Sequence, residues 1–322
     1  MSTKPSCNSF STPFSELGAT LEVLRIRAKI NEKIRTFFQS RHVLEVETPL
    51  LNQYAVTDLQ IDSIATENAK FLHTSPEYAM KRLLVFHQCD IYQLCKVFRA
   101  HESGRYHNDE FTMLEWYRVN WSYKELMKEV VELITMVAAD YVKPRDNIYF
   151  SYQEVFEKHA ELDVLNAGQA EYLQVCEDHS IQLHSALTVE QYQELILDQI
   201  IVPKFNKQDL TFVYDFPAEQ AALAKINQQG LAQRFELYFG GVELANGFQE
   251  LTDAQEQRLR FEEDNRKRLL ENKKAIEVDV EFIDALEVGL PESAGVALGV
   301  DRLLMAVLNV QHINEVLSFA GT

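Results

Sequence analysis

The sequence predicts an α+β protein built on an antiparallel sheet flanked by helices, and three observations carry that expectation. Strand-like and helix-like segments do not alternate regularly, as a doubly wound parallel sheet would require. Two β-rich runs, "IYQLCKVFRA" and "FTMLEWYRVN", flank one polar loop, and "RFELYFGGVELANGFQEL" doubles back at a Gly-Gly pair; both are hairpin patterns. The 322 residues are 46% hydrophobic and 25% charged, an ordinary globular composition with ample material for a core.

The elements follow in order. "LEVLRIRAKINEKIRTFFQSRH" sets Val23, Ile26, Ile30, Ile34 and Phe37 at three-to-four spacing, an amphipathic helix. "HVLEVETPLL" alternates like a short strand and stops at Pro49, which cannot donate in a central ladder. "FLHTSPEYAMKRLL" reads as a strand end, a turn and a helix begun at Pro76. The hairpin around "VFRAHESGRYHNDEF" comes next, then a helix over "YKELMKEVVELITMVAADYV". From about Tyr149 to Gln208 the pattern is mixed, with helices at "YQEVFEKH" and "VEQYQELILDQIIVPKF". "DLTFVYDFP" and the Gly-Gly hairpin return to strand, "DAQEQRLRFEEDNRKRLLENK" is a charged, solvated helix, and "AGVALGVDRLLMAVLNV" is a small-residue strand feeding an apolar helix.

Composition excludes some functions. No apolar run approaches the ~20 residues of a membrane span, and the start does not resemble a signal peptide. Cys7, Cys89, Cys95 and Cys176 have no CxxC or zinc spacing, so a reduced, cytoplasmic setting is expected. With 31 basic against 49 acidic residues the net charge is −18, which argues against a broad nucleic-acid surface, since such binding neutralises phosphates with Lys and Arg. Residues 1–20, polar and Ser/Thr-rich, read as an arm that Phe10, Phe14 and Leu17 could fasten to the body formed by residues 21–322.

Four short stretches could carry chemistry. In the hairpin loop, Arg99 stands where the strand leaves the sheet and could fork onto a phosphate, His107 and Asn108 could reach a second, and Phe111 could lie against a base. A solvated polar hairpin would explain the same residues. Glu236 and Glu243, on either side of "LYFGGV", could share one Mg²⁺, or serve in surface salt bridges. Asn246 and Glu250 share a strand face and could hold a carboxylate or an amine, although Asn-Gly alone is commonly a turn. "GVALGVDR" sets small residues before Asp301 and Arg302 at a helix start, suited to close approach of an anion or to tight strand–helix packing.

In this order the segments resemble the class II aminoacyl-tRNA synthetase catalytic domain, in its lysyl-tRNA synthetase branch. "HVLEVETP" is similar to the family's first motif, "VFRAHESGRYHNDEFTMLEWY" to its second, "GGVELANGFQEL" to its lysine-type "GGxEIxNGFxEL" segment, and "GVALGVDR" to its third motif, "GxGxGxDR". The resemblance runs from about Leu21 to the C-terminus and is weaker between Val142 and Leu210. Only about twenty residues precede the first helix, where the synthetases carry an anticodon-binding OB-fold, so no tRNA is expected as substrate. The chain is most similar to the lysyl-tRNA synthetase paralogues that attach (R)-β-lysine to a lysine of elongation factor P. Ala297, where the synthetases have glycine, is the residue of those paralogues and is associated with β-lysine.

The resemblance implies an ATP- and Mg²⁺-dependent ligase working through an aminoacyl-adenylate, dimeric through the Pro49 region. It assigns Arg99 and Arg302 to catalysis, with Glu102, His107, Asn108 and Phe111 also on ATP, and Glu236 and Glu243 on the metal. It assigns Glu77, Tyr117 and Glu250 to the side-chain amine, Glu115 to the other amine, Asn246 to the carboxylate and Ala297 to the pocket floor. Three carboxylates around a diammonium substrate are expected to repel one another until it binds. The family's second motif has an acid two residues after its arginine; here that place is His101, and the acid is Glu102, so either could meet adenine. Two other functions stay open: an enzyme activating α-lysine for another acceptor, and a catalytically silent synthetase-like binding module.

Overall fold

The computed structural model describes residues 18–183 and 187–320, so residues 1–17 of the predicted arm, with Phe10, Phe14 and Leu17, lie outside the described residues. Helix α1 (Leu21–Ser40) starts at Thr20, whose hydroxyl accepts from the Val23 N–H, and buries Ile30, Ile34 and Phe37 at the predicted spacing. Its start is tied to the far end of the chain, because the Gly18 and Ala19 N–H groups donate to the Ser318 and Leu317 carbonyls.

The run around Pro49 splits. Only Leu44–Glu45 (β1) joins the main sheet, while Leu51–Asn52 (β2) pairs with Phe71–Leu72 (β3) in a separate ribbon. Pro49 has no N–H to continue the ladder, which explains the break. Helix α2 (Glu77–His87) has Pro76 as its N-cap, one place before the first helical position, and the Ser75 hydroxyl accepts from the Glu77 N–H.

Strands β4 (Ile91–Phe98) and β5 (Glu110–Val119) pair antiparallel with Val97 opposite Phe111, and an Arg99 N–H bond to the Asp109 carbonyl closes the predicted loop. Helix α3 (Tyr123–Ala138) opens on a Ser122–Glu125 capping box. Strand β6 (Asn147–Ser151) runs parallel to β7 (Leu210–Pro217), connected by α4 (Tyr152–Ala160), α5 (Gln169–Asp178) and α6 (Val189–Ile196), the last continuing into a π-turn at Leu197–Ile201. Strands β8 (Leu231–Phe239) and β9 (Val242–Gln249) turn at Gly240 and Gly241, with φ of 67° and 88°, left-handed values that favour glycine. Helices α7 (Ala254–Leu270) and α8 (Val280–Gly289), strand β10 (Ser293–Gly299) and helix α9 (Val300–Leu308) complete the described elements.

The eight-stranded sheet has the order β1-β4-β5-β10-β9-β8-β7-β6. From β4 to β7 it is antiparallel, as predicted, and the edge strands β1 and β6 are parallel to their neighbours. One face packs Leu114, Trp116, Val296, Leu298, Phe235 and Leu237 against α1, α3 and α9, and full burial of each such side chain contributes about 1.5–3 kcal/mol. Two smaller cores lie elsewhere, one around α2, α7 and α8 with Tyr117, the other around α4–α6 with Val213 and Tyr238. Period-two alternation sends the large apolar residues of the central strands into the main core. The intervening residues, among them the polar and small ones, face the opposite side, where the cavity lies.

Candidate active site

The strand register assembles the site. Across the sheet, Gln93, Glu115, Ala297, Asn246 and Glu236 stand directly opposite one another on successive strands. Directly opposite residues share a face, so these side chains form one row. The next row is Ile91, Tyr117, Gly295, Phe248 and Arg234. Gly295, Ala297 and Gly299 therefore supply a floor of small residues on the cavity side while Val296 and Leu298 fill the core behind it. At Gly295 a Cβ would stand 2.3 Å from the Tyr117 ring and 2.4 Å from a Glu250 oxygen, so only glycine lets those groups meet there.

Above the floor lies a cavity of about 920 Å³, large enough for a nucleotide and a small amino acid. Arg99, Glu102, His107, Asn108, Phe111 and Arg302 line it together with Glu236 and Glu243; so do Glu77, Glu115, Tyr117, Asn246, Glu250 and Ala297. His101 does not. It sits in the left-handed region at φ 65° with its side chain exposed, while Glu102 turns inward to 3.8 Å from Arg99. A residue at that φ reverses the loop, and the acid one place later thereby reaches the cavity.

One half of the cavity holds its arginines, each beside an acid. Arg302 is braced by the Glu243 carbonyl at 2.9 Å, the Glu243 carboxylate at 3.3 Å and His107 Nε2 at 2.5 Å. A guanidinium only donates, so Nε2 accepts and the imidazole is neutral, in line with the lowering of its pKa by burial and by Arg302. Arg99 is held more loosely, by the Thr74 carbonyl at 3.4 Å and over the Phe111 ring at 5.2 Å. Asp301, beside Arg302, turns inward instead: Arg27 pairs with it and the Thr112 N–H donates to it at 2.6 Å, which ties α1, β5 and α9 together behind the site.

Glu236 and Glu243 both line the cavity, and Glu236 feels the charge of Glu243. Burial comes first in pushing the Glu236 carboxyl up, Arg234 opposes it and Glu243 adds to it. Tyr238 donates to Glu236 at 2.5 Å, and Arg234 pairs with its other oxygen. Among the described residues no third His, Cys, Asp or Glu joins them. An incomplete set of oxygen donors beside two arginines fits Mg²⁺, which commonly takes one or two carboxylates and completes its shell with substrate phosphates.

The other half is acidic and deeply buried. Glu115 accepts from Ser75 at 2.8 Å and from Tyr117 at 2.6 Å, and burial, with Glu77 adding, raises its carboxyl to about 8. Burial also raises Glu250 to about 7 against the pull of Lys81. Glu77 adds to the raised pKa of both Glu115 and Glu250, and two of the three carboxylates also have a buried cation behind them. Lys81, 1% exposed, sets its ammonium 2.7 Å from Glu77 and 2.5 Å from Glu250.

Sequence reasoning missed Lys81, whose i,i+4 spacing from Glu77 looks like a surface pair, and Arg234, which donates to Asn246 at 3.3 Å and to the Gln220 carbonyl at 2.9 Å. Arg234 had a readable signal, since it lies two residues before Glu236 on the same strand face. Glu194 of α6 and the segment of residues 53–63 also reach the cavity, and no local pattern marks them.

A central antiparallel sheet under one cavity, with arginines on one side and buried carboxylates on the other, defines a class, and residues 18–322 match the profile of the tRNA synthetases class II (D, K and N), the family to which this chain belongs. Within it, the chain is 43% identical over 312 residues to elongation factor P–(R)-beta-lysine ligase of Haemophilus ducreyi, covering 94% of each chain. It is 44% identical to the ligase of the same name from Mannheimia succiniciproducens, and 43% identical to that from Erwinia tasmaniensis, in both cases over 94% of this chain and 95% of the relative.

Proposed function

We propose that this chain activates (R)-β-lysine as an adenylate with ATP and transfers it to a lysine side chain of elongation factor P. The observation that carries the reading is the meeting, over one small-residue floor, of a phosphate-type arginine pair and a diammonium-type carboxylate cluster. In the first step the amino-acid carboxylate oxygen attacks the α-phosphorus, a new P–O bond forms, and the bond to pyrophosphate breaks. Arg99 takes the α-phosphate and the substrate carboxylate, Arg302 and His107 take the outer phosphates, with Asn108 beside them, and Phe111 lies under adenine. Asn246, oriented by Arg234, also holds the carboxylate. Catalysis here is positioning and charge stabilisation by preorganised groups. Mg²⁺ held by Glu236 and Glu243 would neutralise phosphate charge.

In the second step a neutral lysine amine of the partner attacks the acyl carbon, the amide C–N bond forms, the acyl C–O bond to the phosphate breaks, AMP leaves and the nitrogen loses its proton to solvent. Free thiols at Cys89, Cys95 and Cys176 suit a reducing cytoplasm, and among the described residues no helix is long and apolar enough to cross a membrane. The acidic balance of the chain favours a protein acceptor over tRNA. The test supplies ATP, (R)-β-lysine and elongation factor P, and weighs the factor: a gain of one β-lysyl group is expected. Adenylate formation without that gain would remove the partner, and no pyrophosphate exchange with any lysine analogue would leave only a silent binding module.

Two details belong to the same reading. Glu102 rather than His101 meets adenine: Glu102→Ala raises the KM for ATP roughly 2- to 10-fold, the worth of one hydrogen bond, and His101→Ala leaves it unchanged. An equal effect of both variants would refute the assignment. Ala297 stands between Glu115 and Asn246, so its methyl shapes the floor between the amine and carboxylate subsites. Ala297→Gly shifts the kcat/KM ratio of α-lysine to (R)-β-lysine upward by roughly tenfold, the scale of one methylene in such pockets; an unmoved ratio would make the alanine a packing residue.

The Pro49 region supports a homodimer. Leu44, Leu50 and Leu51 are 57%, 41% and 44% exposed beside the two-residue edge strand β1, and an apolar sheet edge of this kind calls for a cover. Sedimentation velocity at micromolar concentration reads the state, and a monomer would overturn the assignment.

A further inference from the structure

The buried lysine of the amine pocket has a part in substrate choice. We propose that Lys81 is a positioning residue that acts as a built-in ammonium, holding Glu77 and Glu250 in place and setting how many positive charges the pocket takes from its substrate. The inference rests on the proposed activation of a diamino acid and adds what fixes that preference.

Lys81 lies on the inner face of α2 with 1% of its surface exposed. Its Nζ reaches Glu77 Oε1 at 2.7 Å and Glu250 Oε2 at 2.5 Å, and lies 5.9 Å from the Phe282 ring centre of α8. Both carboxylates also line the cavity, so the lysine contacts them from behind while the substrate approaches from in front. A lysine that only anchored a helix would need one acid, and that acid would not have to face a ligand cavity. Burial alone would lower the Lys81 pKa, but Glu250 and Glu77 outweigh it and the net shift is upward, so the side chain stays an ammonium.

The charge count gives the consequence. Glu77, Glu115 and Glu250 supply three negative charges when ionised and Lys81 removes one, which leaves two for the two ammonium groups of a diamino acid. Without Lys81 the count is three, the carboxylates hold protons more strongly, and the pocket becomes fit for the substrate only at higher pH. The charged groups facing this ammonium are Glu77 on its own helix and Glu250 beyond β9; Glu115 and Tyr117 of β5 act on those two carboxylates from the cavity side, α8 presents Phe282, and Tyr78, stacked on that ring, has Asp264 and Asp279 near it.

The experiment is pyrophosphate exchange from pH 6 to 9 with wild type, Lys81→Met and Lys81→Arg. Lys81→Met is expected to raise the KM for (R)-β-lysine at least tenfold at pH 7, with the deficit shrinking toward pH 9 and the KM for ATP unchanged. Lys81→Arg keeps the charge, so its KM rises a few-fold and its pH profile follows wild type. A methionine variant with the wild-type pH profile overturns the proposal, as does a parallel, pH-independent loss for ATP and amino acid. Should Lys81→Met not fold, the arginine variant decides: a displaced pH profile there removes the charge role. Wild-type exchange with (R)-β-lysine is the control. Its absence would refute the proposed activity, and calorimetric binding of (R)-β-lysine to the same three proteins would then read the lysine on its own.

Discussion

Alanine at Arg99 lowers kcat for β-lysine-dependent pyrophosphate exchange by roughly 10²–10³-fold, the loss typical of one preorganised charge-stabilising donor, and leaves thermal stability almost unchanged. The pairing of a large kinetic effect with a small structural one follows from how the side chain is held. Arg99 makes one long bond to the Thr74 carbonyl at 3.4 Å, stands 3.8 Å from Glu102 and lies over Phe111 at 5.2 Å. The contact with the ring is worth about 0.5–1 kcal/mol, and a part-exposed ion pair adds little. Its backbone closes the hairpin, and that bond survives truncation of the side chain. Arg302 is the contrast: with His107 and Glu243 on its guanidinium, its removal would also loosen the hairpin over the site. Lys at position 99 keeps a charge and loses the planar fork, so most of the deficit should remain. A full-speed Arg99→Ala enzyme would place the reacting phosphate elsewhere in the cavity.

Period and turn chemistry located β4, β5, β8, β9, β10 and the central helices, and the spacing of Asn246 and Glu250 put them on one face without knowing the sheet order. The other site residues, many of them in the β4–β5 loop or on α2 and α9, were legible through the resemblance of their motifs to the family. What escaped depends on contacts far apart in sequence. Lys81 meets Glu250, the residue after β9, only in the folded chain, and on its own helix the residue has the look of a solvated surface lysine. Helix α8 was passed over, although Phe282, Ile283 and Leu286 form its buried stripe, because charged residues flank it closely. The α4–α6 segment carries its own apolar core, so its periodicity reports local packing and says nothing of Glu194 at the cavity. The shifted acid of the second motif was visible as a displaced letter, but that Glu102 and not His101 lines the cavity depends on the left-handed backbone at His101.

The buried carboxylates carry a stability cost that one substitution should expose. Glu115 titrates at about 8 in the folded chain against an ordinary value of 4.5, through burial first and Glu77 second. A carboxyl whose folded pKa lies above its unfolded one binds its proton more tightly when folded. Stability from this group is therefore present below about pH 4.5, falls as pH rises through the window from 4.5 to about 8, and is lowest above it. The size is on the order of a few kcal/mol for a shift of this kind. Glu115→Gln removes the ionisation while keeping oxygen and nitrogen atoms to meet Ser75 and Tyr117. Its melting temperature should exceed that of wild type at pH 8–9, and the difference should shrink toward pH 5. Activity should move the other way, since the substrate ammonium loses a buried carboxylate: kcat/KM for (R)-β-lysine falls roughly 10²-fold, within the range for breaking a buried charge pair, with the KM for ATP preserved. In wild type the same carboxyl makes amino-acid binding tighter as pH rises from 6 to 8, because the ammonium must displace its proton, and calorimetry in buffers of different ionisation heat should register that release. A melting difference that does not depend on pH would mean that Glu115 is already ionised in the empty pocket, with Lys81 and Ser75 supplying enough compensation to hold it so.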